Sequence, residues 1–418
     1  MMKKIKNKLI SIFYSTRDSL SLTISKIPIK LGEISMIYEI FSCMKKKLYK
    51  PRTKNEYVII IGLIVNFILT ILFGFTNYSN IEHGFFYKFI LKSLFYFIFI
   101  FLIILSRKSI SSNSIKSLCK IILITQIPFF ILEYFFNIQI VGFKVIEPIQ
   151  KIYIGSHKIY RFVGTASEPA YIVPLLAMPL YYFTNDKKGN MVYLILAIFY
   201  LIMTFSPFAF CILILNYAIS LIRLLRKDKT QFINRICTLI LIFTIALIAC
   251  LTSSFKIYFN GMVNKMIGFL TGGSLGKMDW SATDRTQHLN YSIELFRTSS
   301  LYNKIFGNGT GFYYFKALHN YNLLINDVEE AYNLYLSTLV DRGILGLINL
   351  ILIFYAILSI ESKDVVSRSI KFGIIVQFIH YFLVGNMWLY FLWIQVAILI
   401  AYNNYLKESD NCENLYTD

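Results

Sequence analysis

Arg161 and Glu168 stand seven residues apart, just ahead of an apolar run that begins at Pro169. A guanidinium grips phosphate oxygens through a planar fork of N–H donors. A carboxylate can take a proton from an attacking hydroxyl. The excess of Lys144, Lys151, Lys158 and Arg161 in the segment before that run argues for an anionic ligand. Pro169 fits the first turn of a helix, where its missing N–H is no loss, and Gly164 permits a left-handed backbone just before that start. A helix beginning there adds the positive end of its dipole, the right sign for an anion. Opposed charges at the edge of a membrane-length run are costly unless something uses them. Two roles stay open for Glu168: general base, or a positioning group that holds Arg161 through a salt bridge.

A second polar set lies further along. Ser281 followed by Asp284 resembles a capping box and predicts a helix over 282–298, with Leu289, Ile293 and Phe296 on its buried face. Arg285 and His288 share a neighbouring face, one turn apart. Gly307, Gly309 and Gly311 alternate with other residues in a run that can open backbone N–H groups toward an anion, or make an ordinary turn. Glu329 and Glu330, the stretch 331–336, and Asp341, Arg342 and Gly343 then lead into the next apolar run. Charges this close to its boundary either line a cavity or sit at the headgroup level.

These groups need a frame, and composition says which. The 418 residues are 56% hydrophobic and 17% aromatic, with a mean hydropathy of +0.58, too apolar for a soluble chain. Apolar runs long enough to cross a bilayer recur, at about 57–75, 88–106, 117–135, 169–184, 191–205, 207–222, 236–252, 344–360, 370–385 and 388–404. The expected fold is all-α: a polytopic integral membrane protein of about ten transmembrane helices, with a large external loop carrying short helices. The net charge of +19 does not imply nucleic acid, because the basic residues collect in short loops. With the N-terminus inside, Arg107, Lys108, Lys116, Lys187, Lys188, the loop from Arg223 to Arg235, and Lys363, Arg368 and Lys371 all fall on one side, as the positive-inside rule requires. Both termini are then cytoplasmic, and segments 136–168 and 253–343 are external.

Residues 1–56 form a cytoplasmic extension with thirteen Lys and Arg against four acids. Ile37, Ile40, Phe41, Met44 and Leu48 fit either a helix lying on an anionic leaflet or a loosely ordered basic tail. Residues 57–405 form one membrane domain, and 406–418 a cytoplasmic tail. The spans are almost free of charge, which favours an interfacial enzyme over a transporter with polar groups at the midplane. The six scattered cysteines read as packing residues, and His83 and His319 as ordinary external residues. No Asp-x-Asp cluster occurs in the external segments, so neither a metal nor any other cofactor is expected.

In this order, several elements resemble the O-antigen polymerase and ligase superfamily, the Wzy-type polymerases among them. They are Arg161-x-x-Gly164-x-x-x-Glu168-Pro169, the external segment with Arg285, the run 307–311, Asn333 to Leu336, and Gly343 to Leu347. The resemblance covers about 57–405. It implies a glycosyltransferase of the bacterial plasma membrane that joins undecaprenyl-pyrophosphate-linked oligosaccharide repeats on the outer face, with the pyrophosphate lipid leaving. It places Arg161, Glu168 and Arg285 in catalysis, and Gly164, His288, Gly309, Tyr332 and Asn333 in substrate binding. The lipid bilayer is the first partner, and a flippase and a chain-length regulator of the same pathway are further ones. O-antigen, capsule or another exopolysaccharide would be the product. The ligase branch carries a His where this chain has Tyr332, so the ligase is the alternative reading, with a lipid-linked oligosaccharide flippase beside it.

The loop charges give a direct test. On a background with the native cysteines replaced, single cysteines near 260 and 320 should react with an impermeant thiol reagent in intact cells. Those near 187 and 228 should react only after permeabilisation. Labelling at 228 but not at 260 in intact cells would reverse the topology.

Overall fold

The structure is a computed structural model describing residues 21–24, 27–30, 53–76, 94, 96–104, 110–141, 144–147, 151–154, 157–166, 168–186, 191–227, 233, 236, 280–309, 311–313, 316, 332–385 and 390–414. It is mostly helical. The chain divides into two compact units, Met1–Ser35 with Asn113–Ala282, and Met36–Ser112 with Thr283–Asp418. Nearly all of the 236–252 run lies outside the described residues, as do the 37–48 helix, His83, His319, Glu329, Glu330 and the side chains of Ser281 and Asp284.

The first unit holds helices α2 (Ser112–Phe135), α3 (Pro169–Asn185), α4 (Met191–Met203) and α5 (Pro207–Lys227). All four start within a few residues of an apolar run seen in the sequence. Helix α3 is the core: every residue from Ile172 to Thr184 is buried, because α4 and α5 both pack on it. Polar side chains tie one end together. Asn216 Nδ2 donates to Thr184 Oγ1 at 3.0 Å and Ser220 Oγ to Asn185 Oδ1 at 3.1 Å, and Arg223 reaches the Tyr181 hydroxyl. Positions 216, 220 and 223 lie on one face of α5, as helical periodicity requires.

The all-α expectation needs a correction. Three two-stranded antiparallel hairpins occur: β1 (Ser21–Ile24) with β2 (Ile27–Lys30), β3 (Gln139–Val141) with β4 (Lys144–Ile146), and β5 (Lys151–Ile154) with β6 (His157–Tyr160). The last two occupy the segment between α2 and α3. Its Ile, Val and Tyr residues are good strand formers. Gly142-Phe143 and Gly155-Ser156 separate the paired strands in sequence, a Gly-first dipeptide of the kind that two-residue hairpins favour.

The second unit holds α1 (Lys54–Thr76), a helical segment over 96–104, α6 (Trp280–Thr298), α7 (Leu301–Phe306), α8 (Leu334–Leu358), α9 (Val365–His380) and α10 (Tyr390–Asn414). Helices α1 and α8 meet closely at Gly62, whose carbonyl accepts from Asn349 Nδ2 at 2.9 Å and where a methyl group would lie 2.4 Å from Ile353. Small residues at such crossings let helix backbones approach. Helix α8 begins ten residues before the run expected at 344. Asn333 Oδ1 accepts the Leu336 N–H at 3.0 Å and caps the helix, so the stretch 334–342 is helical rather than loop.

Helix α6 confirms the helix expected over 282–298, but its face is turned. His288, Tyr291 and Ser292 are the buried positions, while Ile293 is exposed. The hydrophobic cluster of Tyr291, Tyr313 and Val340, flanked by Leu295, Phe296 and Phe312, draws that face inward. Two of the buried polar groups there are hydrogen-bonded: Ser292 Oγ donates to the His288 carbonyl at 2.8 Å, and His288 Nδ1 pairs with the Tyr313 hydroxyl.

Among the described residues, three helices are long and apolar enough to cross a membrane: Lys54–Ile71, Ser112–Phe135 and Leu334–Leu358. Met191–Met203 and Pro207–Arg223 are shorter apolar helices. The outward residues of the long ones include many aliphatics, Ile61, Ile64 and Ile68 on α1 and Ile344, Ile348, Ile351 and Leu352 on α8, together with the aromatics Tyr57, Phe135 and Tyr355. Apolar faces of that extent suit lipid.

Helix α8 breaks at Gly343, where φ is 65°. There its backbone touches the loop after α7. A methyl group on Gly343 would lie 2.4 Å from the Ile305 carbonyl oxygen, and one on Gly307 would lie 2.3 Å from that of Asp341. Gly307 also has a positive φ of 94°. Gly307→Ala and Gly343→Ala should each destabilise the detergent-purified protein by at least about 1–2 kcal/mol from the left-handed backbone alone, with the backbone overlap added. Melting followed by tryptophan fluorescence measures this, and an Ala variant melting with the wild type would refute the contact.

Candidate functional site

In the first unit the stretch from Arg161 to Glu168 is non-helical backbone at the buried head of α3. Such backbone needs partners for its N–H groups. Helix α2 supplies them from one face, two turns apart. Glu133 Oε2 accepts the Val163 N–H at 3.1 Å and Oε1 the Gly164 N–H at 2.8 Å. Gln126 Oε1 accepts the Thr165 N–H at 3.1 Å, and its Nε2 donates to Thr165 Oγ1 at 3.2 Å. The left-handed conformation expected at Gly164 is present, with φ 60°. A methyl group there would lie 2.5 Å from Gln126 Oε1, so only glycine lets α2 grip the turn this closely.

The turn between α4 and α5 holds the other side. Phe162 N–H donates to the Met203 carbonyl at 2.8 Å and Arg161 Nε to the Thr204 carbonyl at 3.1 Å. Arg161 and Glu168 form no ion pair among the described residues. The salt bridge expected between them is replaced by this backbone contact, which needs no carboxylate. Glu168 occupies the N-cap position of α3 in extended conformation, makes no side-chain cap, and is followed by Pro169 at the first helical positions as expected. Its half-buried carboxylate is left for another task.

In the second unit three of the residues singled out from sequence come together. Arg285 Cζ lies 5.5 Å from the centroid of the Tyr332 ring, a cation–π distance. The His288 ring meets the same tyrosine edge-on at 5.1 Å. His288 is fully buried, and its Nδ1 hydrogen-bonds the Tyr313 hydroxyl. Arg285 hydrogen-bonds no described residue, so its fork of donors remains for a ligand while its face rests on Tyr332. The arrangement can hold an oxyanion against an aromatic wall, with a buried imidazole–phenol pair behind it.

Asn333 and Gly309 are otherwise engaged. Asn333 caps α8 and donates from Nδ2 to the Phe382 carbonyl at 3.4 Å. The N–H groups that the glycine run was expected to open toward an anion are taken up inside the protein, those of Gly307 and Gly309 by backbone carbonyls and that of Gly311 by a carboxylate. Gly309 N–H donates to the Asp341 carbonyl at 2.9 Å, Gly311 N–H to Asp341 Oδ2 at 2.9 Å, and Tyr313 N–H to Asp341 Oδ1 at 3.3 Å. The loop therefore clasps the middle of α8 and places Tyr313 against His288.

Sequence reasoning passed over Glu133, Gln126 and Tyr313. Glu133 carried a readable signal, an acid inside an otherwise apolar run, which is a functional candidate by default. Gln126, seven residues earlier, shares its helix face. Tyr313 carried none, because nothing local marks which of many tyrosines meets a histidine. No protein-family model and no curated protein matches the chain.

The clamp from α2 can be broken selectively. An amide at 133 keeps one acceptor but turns N–H donors toward a backbone N–H, so Glu133→Gln should cost about 1–3 kcal/mol, and Glu133→Leu more. Ala166, fully buried in the turn, reports the geometry. A cysteine there should react slowly with a thiol reagent in the wild-type background and quickly with Glu133→Gln. Equal rates would remove Glu133 from the positioning of the turn.

Proposed function

We propose that the protein is a polysaccharide polymerase, a glycosyltransferase of the bacterial plasma membrane that joins undecaprenyl-pyrophosphate-linked oligosaccharide repeats at the outer face. The observation that carries the reading is Arg285, stacked on Tyr332 with no hydrogen bond to any described residue and beside the buried His288–Tyr313 pair. It lies on a segment that the loop charges assign to the outside. In this reading the helices belong to a bundle of about ten transmembrane segments with both termini cytoplasmic.

The reaction sets the demands. An acceptor hydroxyl oxygen attacks the anomeric carbon of the donor glycan, the bond from that carbon to the pyrophosphate oxygen breaks, and the hydroxyl proton passes to a base. The leaving pyrophosphate gains negative charge, which a guanidinium fork stabilises. Arg285 and Arg161 are the candidates for that task. Glu168, free of the salt bridge and of any cap, is the candidate base. Tyr332 takes the position of the ligase histidine and serves as a platform for Arg285, which favours polymerase over ligase.

Glu133 and Arg342, both buried within membrane-length helices, are the observation favouring transport of a lipid-linked oligosaccharide. Glu133, however, gives both oxygens to the turn, so its charge serves the fold.

In vitro polymerisation by purified protein with a lipid-linked repeat is the test. Arg161→Lys and Arg285→Lys should each shorten or abolish polymer, because a point charge does not reproduce a bidentate fork. Glu168→Gln should lower the maximal rate by about two to four orders of magnitude with near-normal donor affinity. Full activity in all three variants at normal protein levels would reject the reading, and flipping of the lipid in vesicles without polymer would favour the transporter.

A further inference from the structure

Arg342 is the least expected charge in the second unit. It lies on α8 one residue before the Gly343 break, inside a membrane-length apolar helix, and is 7% exposed. Its partners are neutral. Nη1 donates to Asn66 Oδ1 on α1 and to the Tyr96 hydroxyl, both at 3.1 Å, and Cζ sits 5.5 Å from the Tyr96 ring centroid. Arg342 Nε and Asn66 Nδ2 are buried with no partner among the described residues. No described carboxylate pairs with Arg342. The adjacent Asp341 turns its carboxylate to the N–H groups of Gly311 and Tyr313.

A buried cation without a counter-charge is strongly unfavourable. Neutral acceptors satisfy some of its protons and leave the charge standing. Water could take the Nε hydrogen bond but not the charge. What the site lacks is a compact anion with several acceptor atoms, able to accept from Arg342 Nε and from a neighbouring amide donor. A phosphate-class oxyanion has that form, and the planar guanidinium is matched to it.

We infer that Arg342, with Asn66 and Tyr96, forms a buried receptor for a phosphate-class oxyanion in the core of the second unit, separate from Arg285. The site stands without the polymerase reading. Identifying its occupant as the pyrophosphate of a polyprenyl carrier rests on that reading. Tyr96 and Asn66 fix the guanidinium from one side, so an arriving anion meets a preset donor rather than a flexible side chain.

The experiment uses the full chain in maltoside micelles and follows its melting temperature. The probes are inorganic pyrophosphate and a polyprenyl pyrophosphate, against sodium chloride of equal ionic strength. Wild type should be stabilised in a saturable way, as binding to the folded state alone requires. Arg342→Lys should weaken the anion by about tenfold or more, each tenfold being one decade in Kd. Arg342→Met should abolish the response while melting no lower than wild type without anion, since a buried charge with neutral partners is replaced by a similar apolar volume. Greater potency of the polyprenyl form assigns a lipid-borne headgroup, and equal potency a free anion; both uphold the receptor.

The proposal fails if neither anion shifts the wild type, or if the shift survives in Arg342→Met. It fails too if Arg342→Met melts far lower while wild type ignores both anions, the mark of a carboxylate partner within the chain. Should the Met variant not fold, unchanged affinity in Arg342→Lys overturns the proposal on its own. Neither probe carries sugar, so the two readings separate. Pyrophosphate binding without polymer keeps the receptor and removes the polymerase, whereas polymer formation without pyrophosphate binding does the reverse.

Discussion

Non-helical backbone buried within the protein must have its N–H groups accepted by protein, because no water reaches them. In the first unit that constraint falls on residues 161–168, and a single face of α2 meets it. Glu133 takes two N–H groups and Gln126 one, while the turn after α4 accepts from Phe162 and Arg161. Helix α3 can then begin at Pro169 fully formed and buried. The position of Arg161 follows from this stitching and not from Glu168. The stretch is thus a turn held from two sides, the condition under which a guanidinium keeps one orientation.

The second unit solves the same problem with the acid on the other partner. Here the irregular backbone is the glycine run, and the accepting carboxylate is Asp341, carried on the broken helix itself. Two glycines with positive φ, Gly307 and Gly343, permit the contact that brings loop and helix within reach. Tyr313 is delivered to His288 as a consequence, and His288 to Tyr332. The aromatic platform beneath Arg285 therefore depends on an interaction that involves neither Arg285 nor Tyr332.

Much of this was legible in advance, for particular reasons. Pro169 after Glu168 marks a helix start by its chemistry, and Gly164 marks a special backbone, so both local readings match the structure. The helix after Asp284 was legible from periodicity, but its orientation was not. Leu289, Ile293 and Phe296 make the more apolar stripe, whereas the buried one includes His288 and Ser292, whose partners lie elsewhere in the chain. The hairpins before Arg161 were passed over although Gly142 and Gly155 sit between strand-forming runs, because a membrane-length reading discounts short external strands. The salt bridge between Arg161 and Glu168 was inferred from opposite signs at short spacing. Charge alone says nothing of the backbone carbonyl at Thr204 that arrives from forty residues further on.

Asp341 and Arg342 show why sign and adjacency mislead. Side by side in sequence they carry opposite charges at the boundary of an apolar run. On a helix, however, successive side chains diverge by about 100°, so neighbours do not face each other. Asp341 turns to the glycine run and is consumed by N–H groups, while Arg342 turns to α1 and meets Asn66 and Tyr96. Each charge answers a different partner, and the acid cannot serve both. The electrostatic need at Arg342 is therefore a consequence of how the loop is built: the same carboxylate that closes the glycine run is withdrawn from the cation beside it.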